Sequence, residues 1–268
     1  MAKKLLFISI FFVLWAFFPY ASAQDITLSD EQVFKIGERI FQNECSDQNK
    51  CLLTWNEGED FLSLGVGHFI WYPAATSGPF EESFIKLLNY LESKGNTPPG
   101  WLTQNPKPPC PWNSRQDFLK DPQDPRILDL QDLLVRTKSD QYSFLLTRLN
   151  EALPTLIQFA KDQDRPKISK QFYLLSSTPS GIYALMDYIN FKGLGVLPSE
   201  RYQNQGWGLL QILSEMTMQE DSAKALEEFA QIAGRLLEER VKNSPAQRNE
   251  EKWLPGWKKR VNSYLQAF

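Results

Sequence analysis

One histidine, three cysteines and no Cys-x-x-Cys are all that this 268-residue chain offers a transition metal. So few imidazole and thiolate donors argue against a zinc centre, and nothing in the sequence calls for a cofactor. The same scarcity disfavours serine and cysteine hydrolases: no Gly-x-Ser-x-Gly leads into a helix, and the one histidine lies in Gly65-Val66-Gly67-His68. No Lys-Ser or Lys-Thr follows those glycines, so they do not cradle a phosphate. Positive charge is not in excess, with 29 Lys+Arg against 32 Asp+Glu. The basic residues are scattered among the acids, so nucleic acid is not expected as a partner, nor is tight adhesion to an anionic wall through charge alone. No internal repeat or low-complexity tract occurs.

What is present begins with Lys3 and Lys4, an apolar run from Leu5 to Phe18, and the small triplet Ala21-Ser22-Ala23. That order is a secretory signal peptide over 1–23, with cleavage before Gln24. The run covers 14 positions, short of the roughly 20 that a membrane-spanning helix needs, and no later stretch is longer. The expectation is an exported protein, periplasmic or extracellular, with no stable membrane insertion after cleavage; an uncleaved anchor is the alternative. Residues 24–268 suffice for one large domain whose core needs no staples. In an oxidising compartment Cys45 and Cys51, six residues apart, are the obvious disulfide candidates. Cys110 could instead capture either of them, and all three pairings stay open.

A helix is predicted from Ser29 or Asp30, the cap, to about Asn43–Cys45, with Val33, Ile36, Ile40 and Phe41 on one face. Leu52 to Ile70, broken by Asn56, Gly58, Gly65 and Gly67, reads as an irregular hairpin region of two or three strands. A second helix is expected over 80–93, on the stripe Phe84, Leu87, Leu88 and Leu91. About 95–125 is rich in proline and carries Trp101 and Trp112, which are costly to leave in water, so it reads as an inserted loop packed on the domain surface. Helices are expected at about 126–137, 139–161, 165–176, 179–190, 202–217, 220–243 and 256–266. The fold class is mainly α (α+β).

The chemistry concentrates where the first helix ends, at Glu44, and in the acidic turn that follows with Glu57, Glu59 and Asp60. A carboxyl shielded at the end of an apolar helix has a raised pKa and suits a general acid. A second carboxylate on a solvated hairpin stays ionised and can steady positive charge or direct a water, and Glu57 is the candidate. Following Gly-x-Gly at a strand end, His68 reads as a structural hydrogen-bonding residue rather than a base. Gly65 and Gly67 permit close backbone approach.

Glu44, Glu57 and Ser63-Leu64-Gly65-Val66-Gly67-His68 together resemble the motif of phage-type lysozymes and endolysins. There a catalytic Glu closes the first helix and a hairpin carries Asp, Thr and Gly-x-Gly-His. The resemblance implies a lysozyme-like helical domain with its small β-hairpin region beside the catalytic helix. It also implies Glu44 as acid, with Glu57 in the place of the Asp and Ser63 in the place of the Thr that contacts water. Trp253 to Val261 is similar to the Leu-Pro-Gly and basic helix near the end of many such endolysins, and Ala184 to Gly195 resembles the helix and Asn-containing turn facing the acid. From about 76 to 176 no resemblance is evident. Because Glu57 and Ser63 depart from the family's pattern, a lytic transglycosylase, which needs only the acid and the substrate's own N-acetyl group, fits better than an inverting hydrolase.

Aromatic faces beside amides suit sugar rings. On that ground Trp55, Tyr188, Asn190, Arg201 and Gln205 are candidate substrate-binding residues, while Trp71 reads as core. The expected partner is the glycan strand of peptidoglycan. The reading is an enzyme cleaving between N-acetylmuramic acid and N-acetylglucosamine, with a non-catalytic peptidoglycan-binding or scaffolding protein as the alternative.

Overall fold

The structure is a computed structural model that describes residues 25–45, 48–78 and 80–266; the signal-peptide assignment at 1–23 lies outside them. Ser29 caps α1 (Asp30–Cys45): its Oγ accepts from the Gln32 amide at 3.3 Å, and Gln32 Oε1 accepts from the Ser29 amide at 3.0 Å. This reciprocal box satisfies donors that the first turn leaves orphaned. Val33, Ile36, Ile40 and Phe41 are buried along one stripe, against α5.

After α1 the chain forms a three-stranded antiparallel sheet in the order β1 (Leu53–Thr54), β2 (Leu62–Leu64) and β3 (Phe69–Trp71). The register pairs Leu53 with Leu64, and Leu62 with Trp71. α2 (Phe84–Ser93) starts at the first residue of its apolar stripe, four positions later than the expected start at 80. The residues before it tie down β3 instead: Ser83 Oγ accepts from the Ile70 amide at 3.0 Å and Glu82 from the Tyr72 amide at 2.9 Å.

The proline-rich stretch packs on the body of the protein. The Trp71 indole donates to Pro108 O at 3.2 Å, the Cys110 amide donates to Tyr72 O at 2.9 Å, and Trp112 is buried. It contains the short α3 (Arg115–Leu119). The helices α4 (Pro125–Arg136), α5 (Lys138–Phe159), α6 (Arg165–Ser176) and α7 (Pro179–Lys192) follow. α7 is buried on nearly every side, from Gly181 through Ile189 without a break, so its sequence carries no amphipathic phase.

The continuous helix expected at 202–217 is corrected. β4 (Arg201–Tyr202) and β5 (Gln205–Gly206) form a hairpin, and α8 (Leu209–Glu215) starts only after it. The turn residues Gln203 and Asn204 have φ of 49° and 66°, the double left-handed conformation that lets a two-residue turn match strand twist. α9 (Ser222–Asn243) and α10 (Leu254–Asn262) pack together and complete a mainly helical protein. Among the described residues no helix is long and apolar enough to cross a membrane.

Candidate active site

Glu44 stands in the last turn of α1, with its side chain only 11% exposed. Three segments converge on it. From α10, Arg260 Nη2 donates to Oε1 at 2.6 Å; from α7, Asn190 Nδ2 donates to the same oxygen at 3.0 Å. From the β2–β3 turn, His68 Nδ1 lies 3.3 Å from Oε2. Behind them Asp187, wholly buried on α7, accepts from Arg260, Tyr264 and Asn43.

This network sets the charge of Glu44. Burial pushes the carboxyl's pKa up, but the Arg260 and His68 charges and the Arg260 and Asn190 hydrogen bonds outweigh it, leaving the pKa below the ordinary value. The helix-end position alone predicts a raised pKa; the ion pair reverses the direction. The resting site holds a carboxylate.

The turn Gly65–His68 is shaped to reach this place. Gly65 has φ of +71°, and a Cβ there would run into the Gln141 amide oxygen, which accepts from the Val66 amide at 2.9 Å. A Cβ on Gly67 would lie 2.7 Å from Asn190 Oδ1 and 2.7 Å from the Phe69 ring. Both glycines therefore allow the turn to lie against α5 and α7, bringing His68 to Glu44.

Cys45 and Cys51 are joined as a disulfide with Cα atoms 5.4 Å apart, and Cys110 is a buried free thiol. The disulfide belongs to the site: Cys51 Sγ lies 3.6 Å from His68 Nε2, on the ring edge opposite Glu44.

The remaining sequence candidates are dispersed. Glu57 is exposed on the β1–β2 turn, while its neighbour Glu59 is half-buried; burial raises the Glu59 pKa, and its charge reaches His68. Ser63 is buried in β2, paired with Ile70. Two candidates for sugar contact are closed off from solvent in this structure. Trp55 is 4% exposed, its indole donating to Glu59 O at 2.7 Å, and Tyr188 has no exposure, its hydroxyl donating to Trp207 O at 2.6 Å. Both are core residues, because a ring and its polar handle closed off together leave no face for a ligand. Arg201 and Gln205 are exposed on the β4–β5 hairpin, and among the described residues neither bonds to Glu44, His68, Asn190 or Arg260.

Arg260 and Asp187 were missing from the sequence candidates. Asp187 precedes Asn190 by three positions, one helical turn, which is the signal that could have found it. Arg260 sits in the basic helix already singled out. Beside it runs a cation–aromatic stack, in which buried Lys192 Nζ lies 3.8 Å from the Phe191 ring centre and 3.5 Å from that of Trp257. Burial, then the charges of Arg240 and Arg260, lower the Lys192 pKa well below its ordinary value.

No protein-family model matches the chain, and no curated protein and no solved structure matches it either. The functional reading rests on the sequence resemblance together with the geometry of the site.

Proposed function

We propose that the protein cleaves the glycan strands of peptidoglycan between N-acetylmuramic acid and N-acetylglucosamine, as a lytic transglycosylase, with Glu44 as general acid. The observation that carries the reading is the convergence on Glu44 of Arg260, Asn190 and His68 from three separate segments. A carboxyl fixed this way is an oriented proton donor and acceptor, which general acid and base work requires. The proton must first be loaded against the pull of Arg260. A sugar that fills the site and expels water favours the neutral carboxyl and lowers that cost. Glu44 then protonates the leaving oxygen as the substrate's N-acetyl oxygen bonds the sugar carbon, and the Glu44 carboxylate takes the proton of the sugar's own O6, which displaces the N-acetyl oxygen to close the anhydro ring. Exposed Glu57 and strand-buried Ser63 do not form a pair poised over a water, which favours the anhydro product over hydrolysis.

A second reading, glycan binding without turnover, is favoured by the same Arg260 ion pair, because it keeps Glu44 ionised. Digestion of purified peptidoglycan by the parent protein and by Glu44→Gln, with products read by mass spectrometry, separates the readings. Anhydro muropeptides from the parent alone are expected. Reducing ends carrying an added water would replace the transglycosylase by a lysozyme, and bound but uncut glycan would leave the binding reading.

A further inference from the structure

The structure assigns a second chemistry to the neighbours of Glu44: we propose that Cys45, Cys51 and His68 become a site for a thiophilic divalent cation of the zinc class once the Cys45–Cys51 disulfide is reduced. One sulfur from each cysteine and a ring nitrogen of His68 all lie within 4.8 Å of one another. Zinc takes sulfur at about 2.3 Å and nitrogen at about 2.0 Å in a tetrahedron, which sets its ligand atoms roughly 3.5–3.8 Å apart. His68 Nε2 and Cys51 Sγ already stand at 3.6 Å. The two cysteine Cα atoms, 5.4 Å apart, can remain where they are, and side-chain rotation brings the sulfurs to ligand spacing.

The other edge of the imidazole supplies an independent observation. Its Nδ1 faces Glu44 Oε2 at 3.3 Å, which is the carboxylate–histidine–metal order that fixes the tautomer of a ligating histidine and raises its basicity. Cys51 and His68 are partly exposed, so the cation has a way in, and three protein ligands leave the fourth position to water. Cys110 takes no part: its amide is tied to Tyr72 O, and burial pushes its thiol up to about 12.

The exchange balances. A dithiol reductant breaks the Sγ–Sγ bond and is itself oxidised to a disulfide; the two sulfurs gain two electrons and two protons, and metal capture releases both protons. A cation on Nε2 obliges Nδ1–H to donate to Glu44 Oε2, which commits that oxygen to the imidazole. The metal site stands without the glycan reading, whereas its consequence, arrest of cleavage, rests on it.

The test is a cobalt titration of the whole chain, reduced with a phosphine and desalted under argon, with folding followed by circular dichroism. The phosphine takes oxygen from water as it reduces the disulfide, so no competing thiol is left. We expect a sulfur-to-cobalt charge-transfer band that saturates at one cobalt per chain, is displaced by zinc and is absent from the oxidised protein. His68→Gln is expected to weaken cobalt binding by about tenfold or more. The proposal is overturned by a folded, reduced chain without the band, by a reduced chain that stays unfolded with or without cobalt, or by a His68→Gln affinity within about twofold of the parent. Zinc-arrested cleavage in the reduced protein is a separate readout, so failure of the glycan reading leaves the spectroscopic result intact.

Discussion

Arg260 holds Asp187 in a fork, with Nε on Oδ2 and Nη2 on Oδ1, both at 2.8 Å. Asp187 has no solvent exposure, while the Arg260 side chain keeps 11%, so the carboxylate has no water to fall back on. Arg260→Met should cost about 3–5 kcal/mol, because it strands a buried carboxylate rather than merely removing a pair. Urea unfolding of the variant measures this, and a loss under about 1 kcal/mol would mean that water already screens the pair.

The lowered pKa of Glu44 gives a pH dependence with a definite sign. Its ion pair contributes stability that is fully present above the unfolded-state value of about 4.3 and is lost as pH falls through the lower folded-state value. Cleavage, which needs the protonated form, runs the other way and rises as pH falls toward that value. Arg260→Gln removes the largest influence opposing protonation, so the alkaline limb of its pH–rate profile should move to higher pH. Profiles of parent and variant that superimpose, in protein shown to be folded, would remove Glu44 as the titrating acid.

Gly67→Ala introduces a methyl 2.7 Å from Asn190 Oδ1 and from the Phe69 ring. The turn or α7 must give way, at about 1–3 kcal/mol, and the Asn190 contact with Glu44 is disturbed with it. Thermal unfolding and cleavage rate should both fall. A variant with parental stability would show that the turn has room the close approach denies.

Tyr188→Phe separates core from contact. Loss of the hydroxyl leaves the Trp207 carbonyl without its donor, at about 1–3 kcal/mol, while glycan affinity should stay within about twofold, since the ring is sealed from solvent. A larger affinity loss in folded protein would restore Tyr188 as a ligand contact.

For Glu57→Gln the transglycosylase reading expects a rate within about threefold of the parent and unchanged anhydro products. A loss of about a hundredfold or more, the scale of a lost acid or base, would make Glu57 the second carboxylate of a hydrolase. Mass spectrometry of the products distinguishes the two.

The elements with clear periodicity were legible: the stripe of α1 and its Ser29 cap lie where the sequence puts them. The short separation of Cys45 and Cys51 made them the obvious pair, but the sequence left all three pairings open and the structure joins these two. The burial of Tyr188 was not legible because α7 is buried all round and its residues carry no inside or outside label. The β4–β5 hairpin was missed because its turn uses Gln203 and Asn204 where glycine usually advertises a left-handed pair. Asn190 came from a resemblance in its surrounding helix, and its bond to Glu44 bridges 146 positions. Arg260 lies 216 positions from Glu44, a pairing that no local pattern encodes.

That separation also orders events in time. During synthesis the helix bearing Glu44 emerges long before Arg260, and the loop between them must close before the two charges meet. Until then Asp187 lacks its counter-charge, so burying α7 early is opposed by the cost of an unpaired carboxylate. Docking of α10 is therefore placed late in folding, and the acid gains its setting only when the chain has come full circle.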